Sequence, residues 1–378
     1  MKPLVEPVER LTPEETRRYA RHLTLPGVGG EGQRRLRGAS VLVVGAGGLG
    51  SPILLYLAAA GVGRIGIIDD DVVEESNLQR QVLHRAADLG RPKVESARDA
   101  LLRLDPGLRV DTYPERLDPG NALDLFAAYD LVLDGADNFA TRYLSNDAAE
   151  LTGTPLVWGT IFRFEGQISV FWPGQGPMLR DLFPDIPPAD SVPSCADGGV
   201  LGVLCGTIGA AMATEAIKVI CGVGEPLVGR IQVYDALAAD WRTLTLRADP
   251  DRPPVTSLAE VAEVCGPATG GVAEVGPGEL AAELAGPAAP VLLDVREDWE
   301  RDLAHLPGDT WLPLGELRAG GWRAVAARVG AARDIVVYCK AGSRSATAVR
   351  LLATAAPDGV RLRSLAGGIL AWPGVGAY

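Results

Sequence analysis

Short apolar runs alternate with longer segments of helical periodicity along the first part of the chain. The run at residues 41–44 ends in a glycine-rich turn at 45–50, and an apolar segment at 51–60 leads to a second run at 64–69. Uninterrupted runs of this length, bounded by glycine, are typical of strands buried on both faces of a parallel sheet. The pattern predicts a βαβ unit that opens a Rossmann-like, doubly wound α/β domain.

The same reasoning places further elements along the chain. The residues Thr12, Pro13 and Glu15 have the pattern of a capping box with proline at the first helical position. We expect a helix from there to about residue 22, a helix from 93, strands at 131–133, 155–158 and 167–171, a long polar loop at 173–194 and an apolar helix at 199–220.

A change of composition divides the chain. Residues 248–271 are rich in proline and glycine and are interpreted as a linker. We therefore predict a larger domain at 1–247 and a second, smaller α/β domain at 272–378, which is long enough for a core of its own. In the second domain we expect strands at 290–294 and 334–338 and a helix at 345–353.

Composition argues against several classes of protein. The net charge of −12 argues against a general nucleic-acid or anionic-membrane surface. The first residues lack the apolar core of a signal peptide, and the uncharged stretch at 39–63 fits a strand–loop–helix unit better than a membrane span. We expect a cytoplasmic protein with no nucleic-acid partner and no membrane association.

The cysteines point to reduced thiols. Their number is odd and no CxxC pair occurs, so neither a disulfide framework nor a cysteine-rich zinc site is expected. Each thiol is therefore judged by its own surroundings. The five are Cys195, Cys205, Cys221, Cys265 and Cys339.

The glycine-rich turn predicts a phosphate site. Gly45, Gly47, Gly48 and Gly50 allow a tight turn and close backbone approach, and the following helix offers free N–H groups to a phosphate. Asp69 ends the second strand, where a carboxylate can hold the hydroxyls of a ribose. The sequence therefore predicts nucleotide binding, with a purely structural turn as the alternative.

A second set of polar residues separates two nucleotide chemistries. Arg80, Lys93 and Asp137 stand just past or beside predicted strand ends, which converge on one crevice in a doubly wound sheet. A nicotinamide-dependent oxidoreductase has no chemical use for these three side chains. Cleavage of a phosphoanhydride needs cations against a triphosphate and a carboxylate for Mg²⁺. A noncatalytic scaffold is a third possibility.

Taken together, these motifs resemble the ubiquitin-activating superfamily, and most closely its MoeB/ThiF-type branch, which adenylates ubiquitin-like sulfur-carrier proteins. The likeness covers about residues 10–247 and includes the glycine loop and the strand end at Asp69. Its other segments are 76–81 (SNLQRQ), 90–97 (GRPKVESA) and 134–138 (DGADN). The resemblance implies ATP as the nucleotide and a carrier of the MoaD/ThiS type, ending in Gly-Gly, as the partner.

The resemblance also implies roles for matching positions. Asp69 would hold the ribose, and Asn77, Arg80 and Lys93 would hold the phosphates of ATP. In-line attack of a carboxylate on the α-phosphate needs charge neutralisation and positioning more than a protein nucleophile, which agrees with these residue types.

Three further positions follow from the resemblance. Asp137 would bind Mg²⁺, with Asn138 beside it at the nucleotide, and Arg21 matches an arginine that the family reaches across a homodimer into the partner's ATP site. We therefore expect ATP and Mg²⁺ as cofactors and a homodimer as the assembly.

The chain departs from the family at a structural zinc site. Many members hold zinc with two CxxC pairs, and these pairs map here to Met178 with Asp181 and to Arg252 with Val255. Because all four ligands are replaced together, we predict a zinc-free branch, similar to MoeZ-like adenylyltransferase/sulfurtransferases.

Cys339 is the strongest candidate nucleophile. It follows the apolar strand at 334–338 and precedes a helix, so backbone N–H groups surround the thiol, with Lys340 and Arg344 nearby. This setting favours a thiolate or a persulfide anion. A buried, inert cysteine is the alternative.

Residues 272–378 resemble a rhodanese domain. The likeness rests on the Cys339 loop and on the segments 294–297 (DVRE), 306–308 (LPG) and 367–372 (GGILAW). The loop from Cys339 to Arg344 has the sulfur-transfer length, one residue shorter than in related phosphatases. Asp309 stands where a small residue is expected.

Cys195 is a second candidate. It lies at the end of the polar loop, and in the resembling family this position often holds a cysteine that links to the carrier's C-terminus. Cys205 and Cys221 are interpreted as structural, and Cys265 lies in the predicted linker without a functional argument.

The leading hypothesis is a two-domain enzyme. The first domain would adenylate the carrier's terminal carboxylate, and a persulfide on Cys339 would then give the carrier thiocarboxylate. The sulfur donor would be a cysteine desulfurase or thiosulfate, and molybdenum cofactor, thiamine, cysteine and thiolated-tRNA pathways all stay open. The alternative is a nicotinamide-dependent oxidoreductase with a rhodanese sensor domain.

Overall fold

The computed structural model describes residues 2–187, 199–265 and 272–375. The chain forms two compact units, Met1–Pro267 and Ala268–Tyr378. Cys195 lies outside the described residues.

A single sheet organises the first unit. Its strand order is β3-β2-β1-β4-β5-β6-β7-β8 in the described part of the chain, parallel from β3 to β5 and antiparallel from β5 to β8. The strands are β1 Ser40–Val44, β2 Arg64–Ile68, β3 Arg109–Tyr113, β4 Leu131–Asp134, β5 Leu156–Phe162, β6 Glu165–Phe171, β7 Arg230–Asp235 and β8 Asp240–Thr245. The parallel half is the predicted doubly wound, Rossmann-like sheet.

Helices cover both faces of this sheet. Two clusters of buried apolar side chains pack between the sheet and these helices, one on each face. The helices are α1 Pro13–Arg18, α2 Ala20–Leu23, α3 Gly29–Gly38, α4 Gly50–Ala60, α5 Lys93–Leu104, α6 Ala122–Ala127, α7 Phe139–Thr152, α8 Leu179–Leu182, α9 Gly202–Cys221 and α10 Ala259–Cys265.

Local sequence explains the elements around the crevice. The residues of β1 and β4 are almost entirely buried, as continuous apolar runs require in a covered parallel sheet. Helix α4 ends at Gly61, whose positive φ of 87° is the left-handed conformation of a helix C-cap. The Thr12 capping box is present, but Tyr19 interrupts the predicted helix because its ring is buried and its hydroxyl donates to Asp105.

Helix α9 is apolar along its whole length. By length and composition it could cross a membrane, yet 56% of its apolar window is buried inside the protein. It packs against α3, α4, β5 and β6. This helix is therefore a core element of the first unit.

Two parts of the first unit differ from the expectation. Helix α8 forms within the stretch predicted as a loop. The hairpin of β7 and β8 was not predicted, because every residue of β8 is exposed and the strand has no buried face to create an apolar period.

Residues 248–265, part of the predicted linker, pack on the first unit. Leu258 and Val261 are buried in the cluster that also holds Tyr143 and Leu144 of α7, and α10 contacts α7. This part of the stretch therefore has a fixed place on the first unit.

The second unit is a five-stranded parallel sheet in the order β11-β10-β12-β13-β9. Its strands are β9 Glu274–Val275, β10 Val291–Asp294, β11 Thr310–Trp311, β12 Asp334–Tyr338 and β13 Arg361–Leu365. Its helices are α11 Pro277–Leu284, α12 Asp298–Leu303, α13 Leu314–Val329 and α14 Ser343–Ala353, with α13 interrupted at Gly321. The predicted second α/β domain is present.

Candidate active site

The glycine loop after β1 leaves no room for side chains. Gly45 has φ of 90°, and a Cβ on Gly50 would lie 2.0 Å from the Gly45 carbonyl oxygen. A Cβ on Gly48 would lie 2.8 Å from the Cys205 Sγ. These positions need glycine, and the loop ends at the N-terminus of α4, where backbone N–H groups can receive a phosphate.

Asp69 at the end of β2 braces this loop. Its Oδ2 accepts a hydrogen bond from the Ala46 N–H at 2.8 Å, and its Oδ1 accepts one from the Asp71 N–H at 2.9 Å. Burial raises the pKa of Asp69, and the charge of Lys93 opposes that rise. The carboxylate is therefore fixed at the rim of the glycine loop.

Lys93 is a buried cation. Only 5% of the residue is exposed, and its Nζ donates to Asp71 Oδ2 at 2.7 Å. Asp71 itself is largely exposed, with a side chain 67% accessible. An ammonium group with one exposed carboxylate partner can be shared with an incoming phosphate at low cost.

The turn at residues 75–81 supplies Arg80 and Gln81. Asn77 Oδ1 accepts from the Glu74 N–H at 3.1 Å, and Arg80 Nη1 donates to the Ser76 carbonyl at 3.0 Å. Gln81 is 4% exposed, and its Oε1 has no hydrogen-bond partner among the described residues. The turn holds these side chains against the glycine loop.

Two adjoining cavities form the crevice at the carboxyl ends of the strands. Both are lined by Gly45, Asp69, Asp71, Ala136 and Asp137. One of them also contains Arg80 and Lys93, and the other contains Asn138. Glycines, cations and carboxylates thus meet in one crevice, as the strand ends predicted.

Asp137 and Asn138 lie after β4. Both are exposed, and Asn138 Oδ1 accepts from the Thr141 N–H at 2.8 Å as the N-cap of α7. Arg142 of α7 donates to the Ala136 carbonyl. Asn138 therefore has a capping role that its sequence motif alone does not show.

A larger apolar cavity of about 590 Å³ shares Arg142 and Ile161 with the crevice. Its walls come mainly from aromatic and aliphatic side chains of β5, α7 and α8, including Phe139, Tyr143 and Trp158. An extended apolar or glycine-rich chain could lie here and reach the crevice.

Arg21 lies elsewhere. It is an exposed residue of α2 and is not among the residues that line the crevice. The other two cations predicted for the nucleotide site, Arg80 and Lys93, do line it.

The Cys339 loop lies between β12 and α14 of the second unit. Cys339 is buried, its Sγ accepts a hydrogen bond from the Gly342 N–H at 3.1 Å, and Ser345 Oγ lies 3.5 Å away. Arg344 forms a bidentate ion pair with Glu300. The sulfur is therefore cradled at a helix N-terminus, where negative charge is favoured.

The unexpected Asp309 has partners. Its side chain is 1% exposed and forms a two-pronged ion pair with Arg301 and a hydrogen bond from the Tyr338 hydroxyl. The Tyr338 hydroxyl oxygen also lies 3.0 Å from Oδ2 of Asp294, which is paired with the fully buried Arg296. This network anchors the residue that precedes Cys339.

The four positions that map to zinc ligands are connected by hydrogen bonds and an ion pair. Asp181 accepts from the Met178 N–H at 2.6 Å and from Arg252 Nε at 2.9 Å. Glu150 Oε1 accepts from Arg252 Nη2 at 3.2 Å and from the Val255 N–H at 3.3 Å. A guanidinium and an aliphatic side chain cannot ligate zinc, so these residues do not fit the ion.

The fold and the crevice define a nucleotide-binding enzyme joined to a cysteine-loop domain. The sequence model of the ThiF family matches residues 19–255, and that of the rhodanese-like domain matches 276–374. The probable adenylyltransferase/sulfurtransferase MoeZ of Mycobacterium tuberculosis is 51% identical over 98% of this chain and 96% of its own length.

A second curated protein and a solved structure are also similar to this chain. The sulfur carrier protein adenylyltransferase of Thermus thermophilus is 52% identical over 68% of this chain and 99% of its own length. The crystal structure of E. coli MccB with ATP has the same fold, with a TM-score of 0.56 at 20% identity over 65% of this chain and 76% of that chain.

The chain belongs to the ThiF family and carries a rhodanese-like domain, and it is an enzyme of the adenylyltransferase and sulfurtransferase class. Use of ATP follows from that class. The family and the two activities predicted from the sequence are thereby confirmed.

Several residues of the site were not found by sequence reasoning. Cys205 was interpreted as structural, yet its side chain lines the crevice next to Gly48. The sequence did not identify Arg142 or Glu300 as site residues. A charged residue in a helix is expected to face solvent unless its partner is known. The GVLC sequence at 202–205 offers only an apolar helix start.

Proposed function

We propose that the enzyme adenylates the C-terminal carboxylate of a ubiquitin-like sulfur-carrier protein and then converts it into a thiocarboxylate. The Thermus thermophilus relative bears the name sulfur carrier protein adenylyltransferase, which supports this substrate class. The observation that carries the proposal is the crevice that unites the glycine loop with Arg80, Lys93 and Asp137.

In the first step a carrier carboxylate oxygen attacks the α-phosphate of ATP, and the bond to pyrophosphate breaks. Asp69 holds the ribose, the glycine loop and α4 hold phosphate oxygens, and Asn77 fixes the turn that presents Arg80. Arg80 and Lys93 neutralise charge on the leaving pyrophosphate, which lowers the barrier without a covalent enzyme intermediate.

Asp137 is the proposed ligand for Mg²⁺. It is an exposed carboxylate at the strand end, close to Asp69 and Asp71 in the same crevice, and hard carboxylate oxygens suit this ion. Bound Mg²⁺ would neutralise phosphate charge. No zinc is proposed, because the residues at the mapped positions do not fit it.

The apolar cavity beside the crevice is the proposed path of the carrier's Gly-Gly terminus. It shares Arg142 and Ile161 with the nucleotide crevice. A chain lying along Phe139 and Trp158 would bring its carboxylate to the α-phosphate, and two glycines would pass where larger side chains would not.

In the second step a persulfide on Cys339 attacks the carbonyl carbon of the acyl adenylate, and AMP leaves. The product is an acyl disulfide between the carrier and Cys339. Attack of a second thiolate on the Cys339 sulfur releases the thiocarboxylate and leaves a disulfide that an external thiol must reduce. Cys195 is the proposed second thiol, and its position lies outside the described residues.

We place the enzyme in the cytoplasm as a homodimer, with Arg21 completing the partner's ATP site, since Arg21 is exposed and lies away from its own crevice. A cysteine desulfurase or thiosulfate would load Cys339. The nicotinamide-dependent alternative leaves Arg80 and Lys93 without a task, and the ThiF match does not support it.

The adenylation step is tested by exchange of labelled pyrophosphate into ATP. Exchange is expected only when a carrier ending in Gly-Gly is added, and a carrier lacking the last glycine is the control. Absence of exchange with every Gly-Gly carrier of the source genome would overturn the adenylation proposal.

The sulfur step is tested with Cys339→Ala. We expect this variant to retain carrier-dependent exchange and to form no thiocarboxylate by mass spectrometry with a sulfur donor present. Cys221→Ala is the matched control, because Cys221 is a buried thiol of α9 whose pKa burial raises to about 11. Thiocarboxylate formation by Cys339→Ala would refute the relay.

A further inference from the structure

One buried polar group of the nucleotide crevice lacks a partner. Gln81 lines the crevice and is 4% exposed, and its Oε1 accepts no hydrogen bond from any described residue. A buried carboxamide oxygen without a donor costs stability, because the hydrogen bond to water that it loses on folding is not replaced. Such a group in a binding crevice indicates that a ligand supplies the missing donor.

The backbone around Gln81 fixes the place of this side chain. The Gln81 N–H donates to the Asn77 carbonyl at 2.9 Å, and the Gln81 carbonyl accepts from the His84 N–H at 3.1 Å. The His84 ring in turn donates to the Ala46 carbonyl of the glycine loop at 2.9 Å. The turn and the glycine loop therefore hold each other, and the carboxamide is in place before a ligand arrives.

The carboxamide lies at the phosphate end of the crevice. Gln81 Nε2 is the nearest atom to a Cβ placed on Gly47, at 3.6 Å, and Gly47 belongs to the loop that is proposed to hold phosphate oxygens. The same crevice contains Arg142 and Ile161, which it shares with the apolar cavity proposed for the carrier's terminus. Gln81 therefore stands where the nucleotide and the carrier meet in the proposed reaction.

The two substrates bring few hydrogen-bond donors to this place. Ionised phosphates and the carboxylate of the carrier only accept hydrogen bonds. The ribose hydroxyls belong to the proposed contact with Asp69, and the adenine amino group lies at the opposite end of ATP from the phosphates. The remaining donor is the peptide N–H of the carrier's last residue, which a single carbon atom separates from the attacking carboxylate.

We propose that Gln81 binds the terminal glycine of the carrier, with Oε1 accepting from its peptide N–H and Nε2 donating to its carboxylate. A carboxamide carries an acceptor and a donor side by side, and a C-terminal glycine presents a donor and an acceptor in the complementary order. The two bonds recognise a peptide terminus rather than a carboxylate alone, and they hold the attacking oxygen at the α-phosphate. This inference rests on the proposed adenylation of a carrier and names the residue that binds the carrier's last peptide unit.

The test removes each partner of the proposed hydrogen bond in turn. A carrier that supports pyrophosphate exchange is joined to a synthetic tail in which an ester oxygen replaces the last peptide N–H. With the wild type we expect this ester to raise the KM for the carrier about tenfold, as loss of one hydrogen bond to a buried group does. Gln81→Met should raise the KM for the normal carrier by a similar factor, and the ester should then add less than about twofold.

Two further variants keep the result specific. Gln79→Met makes the same change at an exposed position of the same turn that does not line the crevice, and it should leave both the KM for the carrier and the ester effect unchanged. Gln81→Leu is a second apolar replacement and should repeat the loss of the ester effect even if Gln81→Met does not fold. ATP binding without a carrier, measured by calorimetry, should match the wild type in both Gln81 variants.

The outcomes separate the inference from the function beneath it. An ester effect that is undiminished in the Gln81 variants overturns the contact with the terminal glycine, while adenylation stands. Weaker ATP binding without a carrier in these variants also overturns it, because Gln81 would then contact the nucleotide, and so does an equal rise of the KM in Gln79→Met. Absence of exchange between the wild type and every unmodified Gly-Gly carrier would instead refute the proposed adenylation.

Discussion

Single residues set the charge balance of the nucleotide crevice. Lys93 is buried and faces the exposed carboxylate of Asp71, while Asp69 is tied to the backbone of the glycine loop. Asp71 holds the Lys93 ammonium in the crevice through a hydrogen bond, where an incoming phosphate can share it.

Substitution of Lys93 tests whether its charge serves the nucleotide crevice. We expect Lys93→Ala to lower carrier-dependent pyrophosphate exchange by about two to three orders of magnitude, as loss of a preorganised charge contact does. Lys218→Ala is the control, because Lys218 is a partly buried lysine that is likewise paired with a carboxylate, Glu215, but does not line the crevice. Equal losses in both variants would show that the effect is structural.

His84 makes the stability of the glycine loop depend on pH. Its Nε2 bonds the Ala46 carbonyl and its Nδ1 bonds Ser96 Oγ, both at 2.9 Å. Burial lowers the pKa of His84 below its ordinary value near 6.5, the Ala46 carbonyl and Asp88 oppose this, and Lys93 adds to it. The folded chain therefore favours the neutral ring.

The lowered pKa of His84 decides whether stability rises or falls with pH. Between the lowered folded-state pKa of His84 and its ordinary value of 6.5, the unfolded chain binds more protons at this residue than the folded chain does. Stability therefore decreases as the pH decreases through this range, by at most about 1.4 kcal/mol per pH unit. We expect amide exchange in residues 45–60 to quicken from pH 7 to 5.5, after correction for intrinsic rates. His84→Gln should weaken this trend and His22→Gln should not; an unchanged trend in His84→Gln would contradict the assignment.

Among the elements, α8 depends on an ion pair to hold its place. Arg252 pairs with Asp181 of α8 and with Glu150 of α7, and the three side chains are at most 15% exposed. The resemblance seen in the sequence implies that Asp181 and Arg252 occupy positions of zinc ligands in other members of the family. Here charge-assisted hydrogen bonds connect them.

We expect Arg252→Met to lower the stability of the first unit by about 2–4 kcal/mol, because it leaves two largely buried carboxylates without their cation. Arg242→Met is the control, since its pair with Asp240 is exposed and should be worth less than about 1 kcal/mol. The measurements are thermal unfolding with and without a chelator. A fall in the unfolding temperature on chelation of the wild type would show that a metal holds this region after all.

At the scale of the whole molecule, the crevice of one chain lacks Arg21. The exposed position of this residue agrees with a role in a second copy, and a symmetric dimer would then contain two shared ATP sites.

Mixed dimers test the shared site. Arg21→Ala and Lys93→Ala should each lose exchange, whereas co-expressed dimers of the two should recover about half of the wild-type rate, because one of the two sites is intact. Dimers of Arg21→Ala with Arg80→Ala should behave alike. Failure to recover in both mixtures, with dimers present, would refute the contribution across the interface.

Much of the fold could be predicted from periodicity. Buried parallel strands and the helix after the glycine loop carry strong local signals, and so does the Cys339 loop between a buried strand and a helix. The exposed β8 has no such signal. The short α8 lies in a proline-rich polar stretch and depends on contacts with distant residues.

The sequence by itself determined which chemical groups the protein has and near which strand ends they stand. That is enough for the family, the two activities and the candidate residues, because strand ends in a parallel sheet converge. Only the tertiary structure decided the partners of those groups. Lys93 with Asp71, Arg344 with Glu300, and Arg252 with Asp181 join residues from separate elements, and no local pattern encodes the distance between them.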